Sequence, residues 1–182
     1  MNSPRAPFLS GLPARVVNLC RLRGGPQDLP YSPNLLALLV VAGTALDALT
    51  GGLLGEVGTT LARSLLSTGV VLALCWLALA IRNLRSRFVQ TATALVACSI
   101  VFSLLQLPLA LLAGPPPVNA GALTGLQLLL GWITIALFVW QLSVDAHIMR
   151  HAMEAPYALA FALVASWVLA YWAFDRLLLG AG

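Results

Sequence analysis

The sequence predicts an all-α membrane protein, a bundle of five transmembrane helices joined by short connections. Three observations support this fold class: the chain is 60% hydrophobic and only 9% charged, it contains five long apolar stretches, and most of its basic residues lie before the first stretch or between stretches. In soluble domains about a quarter of the residues are charged. This chain of 182 residues therefore has too few charged residues to cover a water-facing surface. The composition therefore excludes a soluble enzyme and a disordered chain.

The five apolar stretches are each long enough to cross a membrane as a helix, which takes about 18–25 residues. The predicted spans are 35–54, 64–81, 88–113, 122–145 and 157–179. Gly114 and the prolines that follow it end the third helix, because proline cannot continue one, and Pro156 stands where the fifth helix begins. We expect residues 147–156 to connect the fourth span to the fifth.

Residues 1–33 form a cytoplasmic segment ahead of the transmembrane domain, which we assign to residues 34–182. Between residues 14 and 23, apolar side chains alternate with Arg15, Arg21 and Arg23. This pattern predicts a short interfacial amphipathic helix, whose apolar face enters the lipid while its arginines contact anionic head groups. The alternative interpretation is a plain basic flank that only orients the chain.

The arginines predict the orientation of the bundle. Most of them precede the first span or lie in the loops after the second and fourth spans, and only Arg63 and Arg176 lie on the other side. The positive-inside rule then places the N-terminus in the cytoplasm and the C-terminus in the periplasm. Topology thus explains the basic charge, and we expect no nucleic acid partner. The residues expected to contact lipid head groups or a partner are Arg15, Arg21, Arg23, Arg82, Arg85, Arg87 and Arg150.

Asp47 is the one acidic residue that the predicted spans place deep in the membrane, where an ionisable group is costly and is a candidate functional site. Counting inward from the outer ends of the spans places Gln106 and Tyr171 at a comparable depth. We expect these three residues to form a buried polar cluster. It is either a proton or cation relay or an interhelical hydrogen bond, and we favour the hydrogen bond because a relay needs several ionisable groups in file.

Small residues recur at four-residue spacing, which lets two helices approach closely. The expected packing positions are Gly51 and Gly55, Gly121 and Gly125, and a stripe in the fifth span of Ala158, Ala162, Ser166 and Ala170. We favour packing within the bundle over contact with a second chain, because bundles of every kind use such contacts.

His147 and His151 are four residues apart, so a continued helix would place both on one face, with Glu154 one turn further. Two histidines and a carboxylate can hold a metal ion. Arg150 beside the pair would repel a cation, however, and both histidines lie on one helix. We therefore favour a cluster at the level of the head groups over a metal site.

Three short stretches resemble bacterial members of the Yip1-type membrane proteins: GPQDLPYS at residues 25–32, FVQT at residues 88–91 and LPL at residues 107–109. The layout of five spans after a cytoplasmic segment is also similar to that family, whose eukaryotic members act with small GTPases in vesicle traffic. The Asp-Leu-Tyr-Gly-Pro motif of the eukaryotic members is absent, since Gly-Pro precedes Asp-Leu in this chain. The resemblance implies the five-span layout and assigns no functional residue.

The sequence contains no motif for nucleotide binding, hydrolysis or metal-dependent catalysis. We therefore expect a non-enzymatic scaffold or accessory subunit of a larger complex in the bacterial inner membrane. Its partners would be membrane lipids and other membrane proteins or a second copy, and we expect no cofactor. The alternative is a small transporter, or a pathway for protons or cations through Asp47.

Overall fold

The structure, a computed structural model, describes residues 11–54, 57–114 and 124–178, which are 88% helical and contain no strand. Its helices are α1 (Leu12–Cys20), α2 (Pro33–Leu54), α3 (Val57–Ile81), α4 (Phe88–Ala113), α5 (Gly125–Met153) and α6 (Tyr157–Leu178). Helices α2 to α6 are each long and apolar enough to cross a membrane. The predicted fold class, an all-α bundle with five candidate spans, is confirmed.

The main difference from the predicted boundaries concerns α5. This helix continues to Met153, so the prediction that residues 147–156 form a connection is wrong over most of its length. Polar side chains at 147, 150 and 151 do not end the helix because its backbone hydrogen bonds are made regardless of side-chain polarity. The helix ends at Glu154, which adopts a left-handed conformation with φ 52°, and Pro156 then disfavours helical backbone in the residue before it.

Helix α4 lies at the centre of the bundle. It contacts α1, α2, α3 and α5, while α6 closes the ring between α3 and α5. Residues 91–98 of α4 are all buried as a result. This burial suits the sequence, because residues 91–98 are small or apolar apart from two threonines, and the Thr91 and Thr93 hydroxyls donate to backbone carbonyls one turn back.

The N-terminal segment is folded onto the bundle, in contact with α4 and α5. Leu19 and Leu29 are 1% and 2% exposed and belong to the same hydrophobic core as the long helices. The Trp140 indole donates to the Cys20 carbonyl at 2.8 Å, and the Gln90 amide donates to the Leu29 carbonyl at 2.9 Å. The helix predicted there exists, so the interpretation as a plain flank is wrong, but much of its apolar face contacts protein instead of lipid.

The bundle has one end that is rich in arginine, which we call the basic end. It contains α1, the turn between α3 and α4, and the turn between α5 and α6. The residues that carry its charge are Arg15, Arg21, Arg23, Arg82, Arg85, Arg87 and Arg150. The predicted separation of these arginines from Arg63 and Arg176 is therefore a feature of the folded bundle.

Candidate functional site

Asp47 is held by a hydrogen bond between two helices. Its Oδ2 accepts a hydrogen bond from the Ser64 hydroxyl at 2.5 Å, which joins α2 to α3. This geometry is that of the interhelical hydrogen bond favoured from the sequence, but the partner is Ser64, which the sequence prediction missed. Ser64 stands at the predicted start of the second span. Serine is common at helix ends, so nothing in the sequence marks its hydroxyl as a partner of Asp47.

Gln106 and Tyr171, the predicted partners of Asp47, lie instead around a cavity between α3, α4, α5 and α6. Asp47 does not line this cavity, so the predicted three-residue cluster is corrected: two members are together and the third is elsewhere. The cavity has a volume of about 430 Å³, within the range of ~300–1,000 Å³ typical of small-molecule sites. Its polar lining residues are Ser67, Thr68, Ser99, Gln106, Gln141, Asp145, Trp167 and Tyr171.

Among the described residues that line the cavity, Asp145 is the only charged one. It lies on α5 two turns before the helix end at Met153, about 12 Å along the axis at 1.5 Å per residue. Within residues 11–54, 57–114 and 124–178, no group donates a hydrogen bond to its carboxyl. The sequence prediction treated Asp145 as the polar end of a span, whereas the continued helix places it inside the bundle.

Trp167 supplies a second polar group without a protein partner. Its side chain lines the cavity and is 3% exposed, and its buried Nε1 makes no hydrogen bond to any part of the chain that the structure describes. A buried donor without an acceptor costs about 1–3 kcal/mol. An acceptor bound in the cavity would remove this cost.

The far end of the bundle carries an ion pair next to the cavity. The Arg63 Nε and the Asp175 carboxylate are 3.0 Å apart and join α3 to α6. Asp175 follows Tyr171 by one helical turn, and Tyr171 lies within electrostatic range of both members of the pair. Polar groups therefore continue from Asp145 through the cavity to the end of the bundle opposite the basic end.

At the basic end, two of the predicted head-group arginines bind the protein itself. Arg82 donates to the Met153 carbonyl at 3.2 Å, and Arg87 donates to the Ala152 carbonyl at 3.3 Å and pairs with Glu154 at 2.5 Å. Cations at a helix C-terminus satisfy its free carbonyls and oppose its dipole. These two arginines thus fasten the end of α5 to the turn between α3 and α4.

The other five predicted head-group arginines are all exposed. Arg15 donates to the Asp28 carbonyl, and the Arg85 guanidinium lies 5.4 Å from the centre of the Trp76 ring. Arg21, Arg23 and Arg150 are exposed. A second, more open cavity of about 620 Å³ lies at this end, with Arg87, Arg150 and His151 among its lining residues.

The three residues considered for a metal site, His147, His151 and Glu154, have other partners. His147 Nε2 lies 2.9 Å from the Gly24 carbonyl, His151 Nδ1 lies 2.8 Å from the His147 carbonyl, and Glu154 pairs with Arg87. Among the residues that the structure describes, no group of three or more His, Cys, Asp or Glu side chains is arranged to hold a metal ion.

The predicted packing positions differ in their surroundings. Gly51 is buried and Gly125 is exposed, while Gly55 and Gly121 lie outside the described residues. On α6, the buried face carries Ala160, Val164 and Trp167. The small-residue stripe is on the other side: Ala158, Ala162 and Ser166 are exposed and Ala170 is half-buried. The expectation that this stripe packs inside the bundle is therefore wrong, because the rotation of α6 turns it outward.

Comparison of the chain with protein-family models, curated proteins and solved structures finds no match.

Proposed function

We propose that this chain is a non-enzymatic scaffold or accessory subunit of a larger membrane protein complex, and that the outward small-residue stripe of α6 binds the next helix. The observation that carries the proposal is the exposure of Ala158, Ala162 and Ser166 along one face of a membrane-spanning helix. Small side chains let two helix backbones come close, so that van der Waals contacts accumulate where lipid would otherwise lie.

The setting of the stripe supports a helix as its occupant. Large apolar side chains flank it, with Leu159 53% and Leu169 69% exposed, and from this difference in size we infer a shallow groove along α6. The Ser166 hydroxyl donates to the Leu163 carbonyl of its own helix, which leaves no polar group on the groove that would need water. The partner is another membrane protein or a second copy of this chain.

The proposed location is the bacterial inner membrane, with the basic end in the cytoplasm. The positive-inside rule supports this orientation, since the basic end holds most of the arginines. The exposed Arg21, Arg23 and Arg150 would then contact anionic head groups of the inner leaflet. A relationship to the Yip1-type membrane proteins is part of the same proposal and depends on the five-span layout.

The test compares complexes isolated in mild detergent from cells that express Ala162→Leu or, as a matched control, Ala45→Leu on the exposed face of α2. Native mass spectrometry reads the assembly directly. We expect the wild-type chain and the control to co-purify with a stoichiometric partner or as a dimer, and Ala162→Leu to lose it, because a leucine fills the groove. A monomeric wild-type chain without any co-purifying protein would contradict the proposal, as would an unchanged assembly in Ala162→Leu.

A second candidate function is the passage of a proton or small cation through the bundle. The observation that favours it is the line of polar groups from Asp145 through the cavity to Tyr171 and the Arg63–Asp175 pair. Such a pathway would use Asp145, because Asp47 is engaged by Ser64 outside the cavity.

Flux into liposomes tests this pathway. We expect Asp145→Asn to abolish the flux and Asp47→Asn to retain it. Absence of flux with the wild-type protein removes this candidate function without affecting the subunit proposal.

A further inference from the structure

The cavity between α3, α4, α5 and α6 has one acidic residue and no basic residue among the described residues that line it. Asp145 contributes a carboxyl group, and among these described lining residues there is no arginine or histidine. The basic residues closest to it in sequence are His147 and Arg150 on α5, and their side chains are engaged or exposed at the basic end. The Coulomb attraction between an ionised carboxyl and a cation is stronger in this low-dielectric setting than in water, and a cation that enters the cavity favours the ionised form.

The walls of the cavity also suit the body of an organic molecule. Three aromatic side chains, Phe138, Trp167 and Tyr171, line it together with aliphatic residues of all four helices. Aromatic faces attract ammonium groups through their quadrupole and pack against apolar carbon. A bare metal ion would find one carboxylate and no second charged ligand, whereas an organic cation would use both the charge and the rings.

The remaining polar groups add hydrogen-bonding capacity along the cavity. Gln141 lies one turn from Asp145 on α5, and Gln106 lies further from the basic end on α4. Within the described residues neither amide is engaged by the protein, and the buried Trp167 Nε1 still needs an acceptor. A ligand with an acceptor atom on its body would satisfy the indole and an amide while its cation pairs with Asp145.

We propose that this cavity is a binding site for a small organic cation, an ammonium ion with an aromatic or aliphatic body. Asp145 pairs with the charge, and the aromatic residues, Trp167 among them, contact the body. The site is independent of the subunit proposal. A transport pathway through the bundle would use the same cavity. Binding does not require flux, however, so binding and flux are measured separately.

The first test uses the wild-type protein in lipid nanodiscs and three benzyl compounds of similar shape. Isothermal titration calorimetry measures the binding of benzyltrimethylammonium, neutral benzyl alcohol and anionic phenylmethanesulfonate. We expect the cation to bind in a saturable manner, with at least tenfold higher affinity than the other two. No binding of the cation, or equal binding of all three compounds, overturns the proposal and leaves water as the occupant of the cavity.

The second test locates the bound cation. Asp145→Asn removes the charge at nearly constant shape and is expected to weaken binding at least tenfold, whereas Asp47→Asn, which removes an intramembrane carboxyl outside the cavity, leaves it unchanged. Ser99→Leu fills the cavity without changing any charge and is expected to abolish binding even if Asp145→Asn does not fold. Trp167→Phe should remove the change in tryptophan fluorescence that the cation causes. Retention of wild-type affinity in either Asp145→Asn or Ser99→Leu overturns the assignment.

Discussion

At the scale of single residues, the two carboxyl groups within the bundle have opposite surroundings. Asp47 has a hydroxyl donor from the neighbouring helix, whereas Asp145 faces a cavity without a donor from the described residues. A paired carboxyl contributes to packing, and an unpaired one at this depth is costly and is a candidate functional group. The residue that the sequence marks as exceptional is thus hydrogen-bonded to the neighbouring helix, and the candidate functional acid is Asp145.

The Asp47–Ser64 hydrogen bond is expected to couple α2 to α3 by about 1 kcal/mol, because hydrogen bonds between transmembrane helices average ~0.6 and reach ~1.7 kcal/mol. A double-mutant cycle with Asp47→Ala and Ser64→Ala measures this coupling, with unfolding by sodium dodecyl sulfate in detergent micelles as the readout. Ser67→Ala is the control, because the Ser67 hydroxyl donates only to the Ser64 carbonyl of its own helix. A coupling energy of zero would show that the bond does not hold the helices together.

Asp145 illustrates what limits prediction at this scale. A carboxyl near the end of an apolar stretch is compatible with a solvated helix end, and hydropathy alone marks it as a boundary. The signal that would have found it is the spacing of Phe138, Gln141 and Asp145, three and four residues apart, which places an aromatic, an amide and an acid on one face of a continued helix. The position of the helix end, set by Glu154 and Pro156, places Asp145 two turns inside α5, and only the packing of α5 against its neighbours shows that this face lines the cavity.

At the scale of elements, three helices end at the basic end in the same way without glycine. Leu22, Asn83 and Glu154 have φ of 59°, 56° and 52° after α1, α3 and α5. In each case the next amide donates to a carbonyl five residues back, as in Arg23 to Asn18 at 2.8 Å and Leu84 to Leu79 at 2.7 Å. These bonds satisfy carbonyls at the helix ends, and they stabilise a conformation that costs an L-residue roughly 1–2 kcal/mol.

Leu22→Gly is therefore expected to stabilise the protein by about 0.5–1 kcal/mol, because relief of the left-handed conformation exceeds the extra flexibility of glycine in the unfolded chain. The side chain is 43% exposed, so little packing is lost. Thermal unfolding in detergent measures the effect, and Leu22→Ala, which keeps a Cβ in the same conformation, should show no gain. A lower unfolding temperature for the glycine variant would contradict the argument.

The contacts of Arg82 and Arg87 with the end of α5 belong to the same scale. Arg87→Gln is expected to destabilise the turn between α5 and α6 by about 0.3–1 kcal/mol, the usual contribution of a cation at a helix C-terminus. Hydrogen exchange of the backbone amides at residues 153–160 should become faster in this variant. Arg85→Gln, which removes an exposed arginine of the same end that makes no hydrogen bond to α5, is the matched control, and equal exchange in both variants would assign no special role to Arg87.

At the scale of the whole molecule, the N-terminal segment is part of the core of the bundle. It packs against α4 and α5 and is held by bonds to Trp140, Gln90 and His147. The segment thus adds to the cover that α2, α3 and α5 give to the buried residues 91–98 of α4. The bundle and the segment described from residue 11 onward therefore share one hydrophobic core.

Leu29→Ala tests this integration, since Leu29 is 2% exposed in the segment between α1 and α2. Removal of a fully buried leucine side chain costs roughly 2–5 kcal/mol, so the variant should unfold at a clearly lower concentration of sodium dodecyl sulfate. Val17→Ala is the control because Val17 on α1 is 49% exposed. Equal stability of the two variants would mean that the segment folds separately from the bundle.

The sequence by itself determined that the protein is an all-α bundle with five candidate spans and that its arginines gather at one end. The first property depends on the total hydropathy of each segment, and the second depends on the number of arginines in each loop. Neither depends on how a helix is rotated about its axis. The tertiary structure alone decided that Asp47 pairs with Ser64, that Asp145 lines the cavity with Gln106 and Tyr171, and that the stripe of α6 faces outward. The physical reason is that lipid and protein interior are about equally apolar, so the hydrophobic pattern of a spanning helix does not report its rotation.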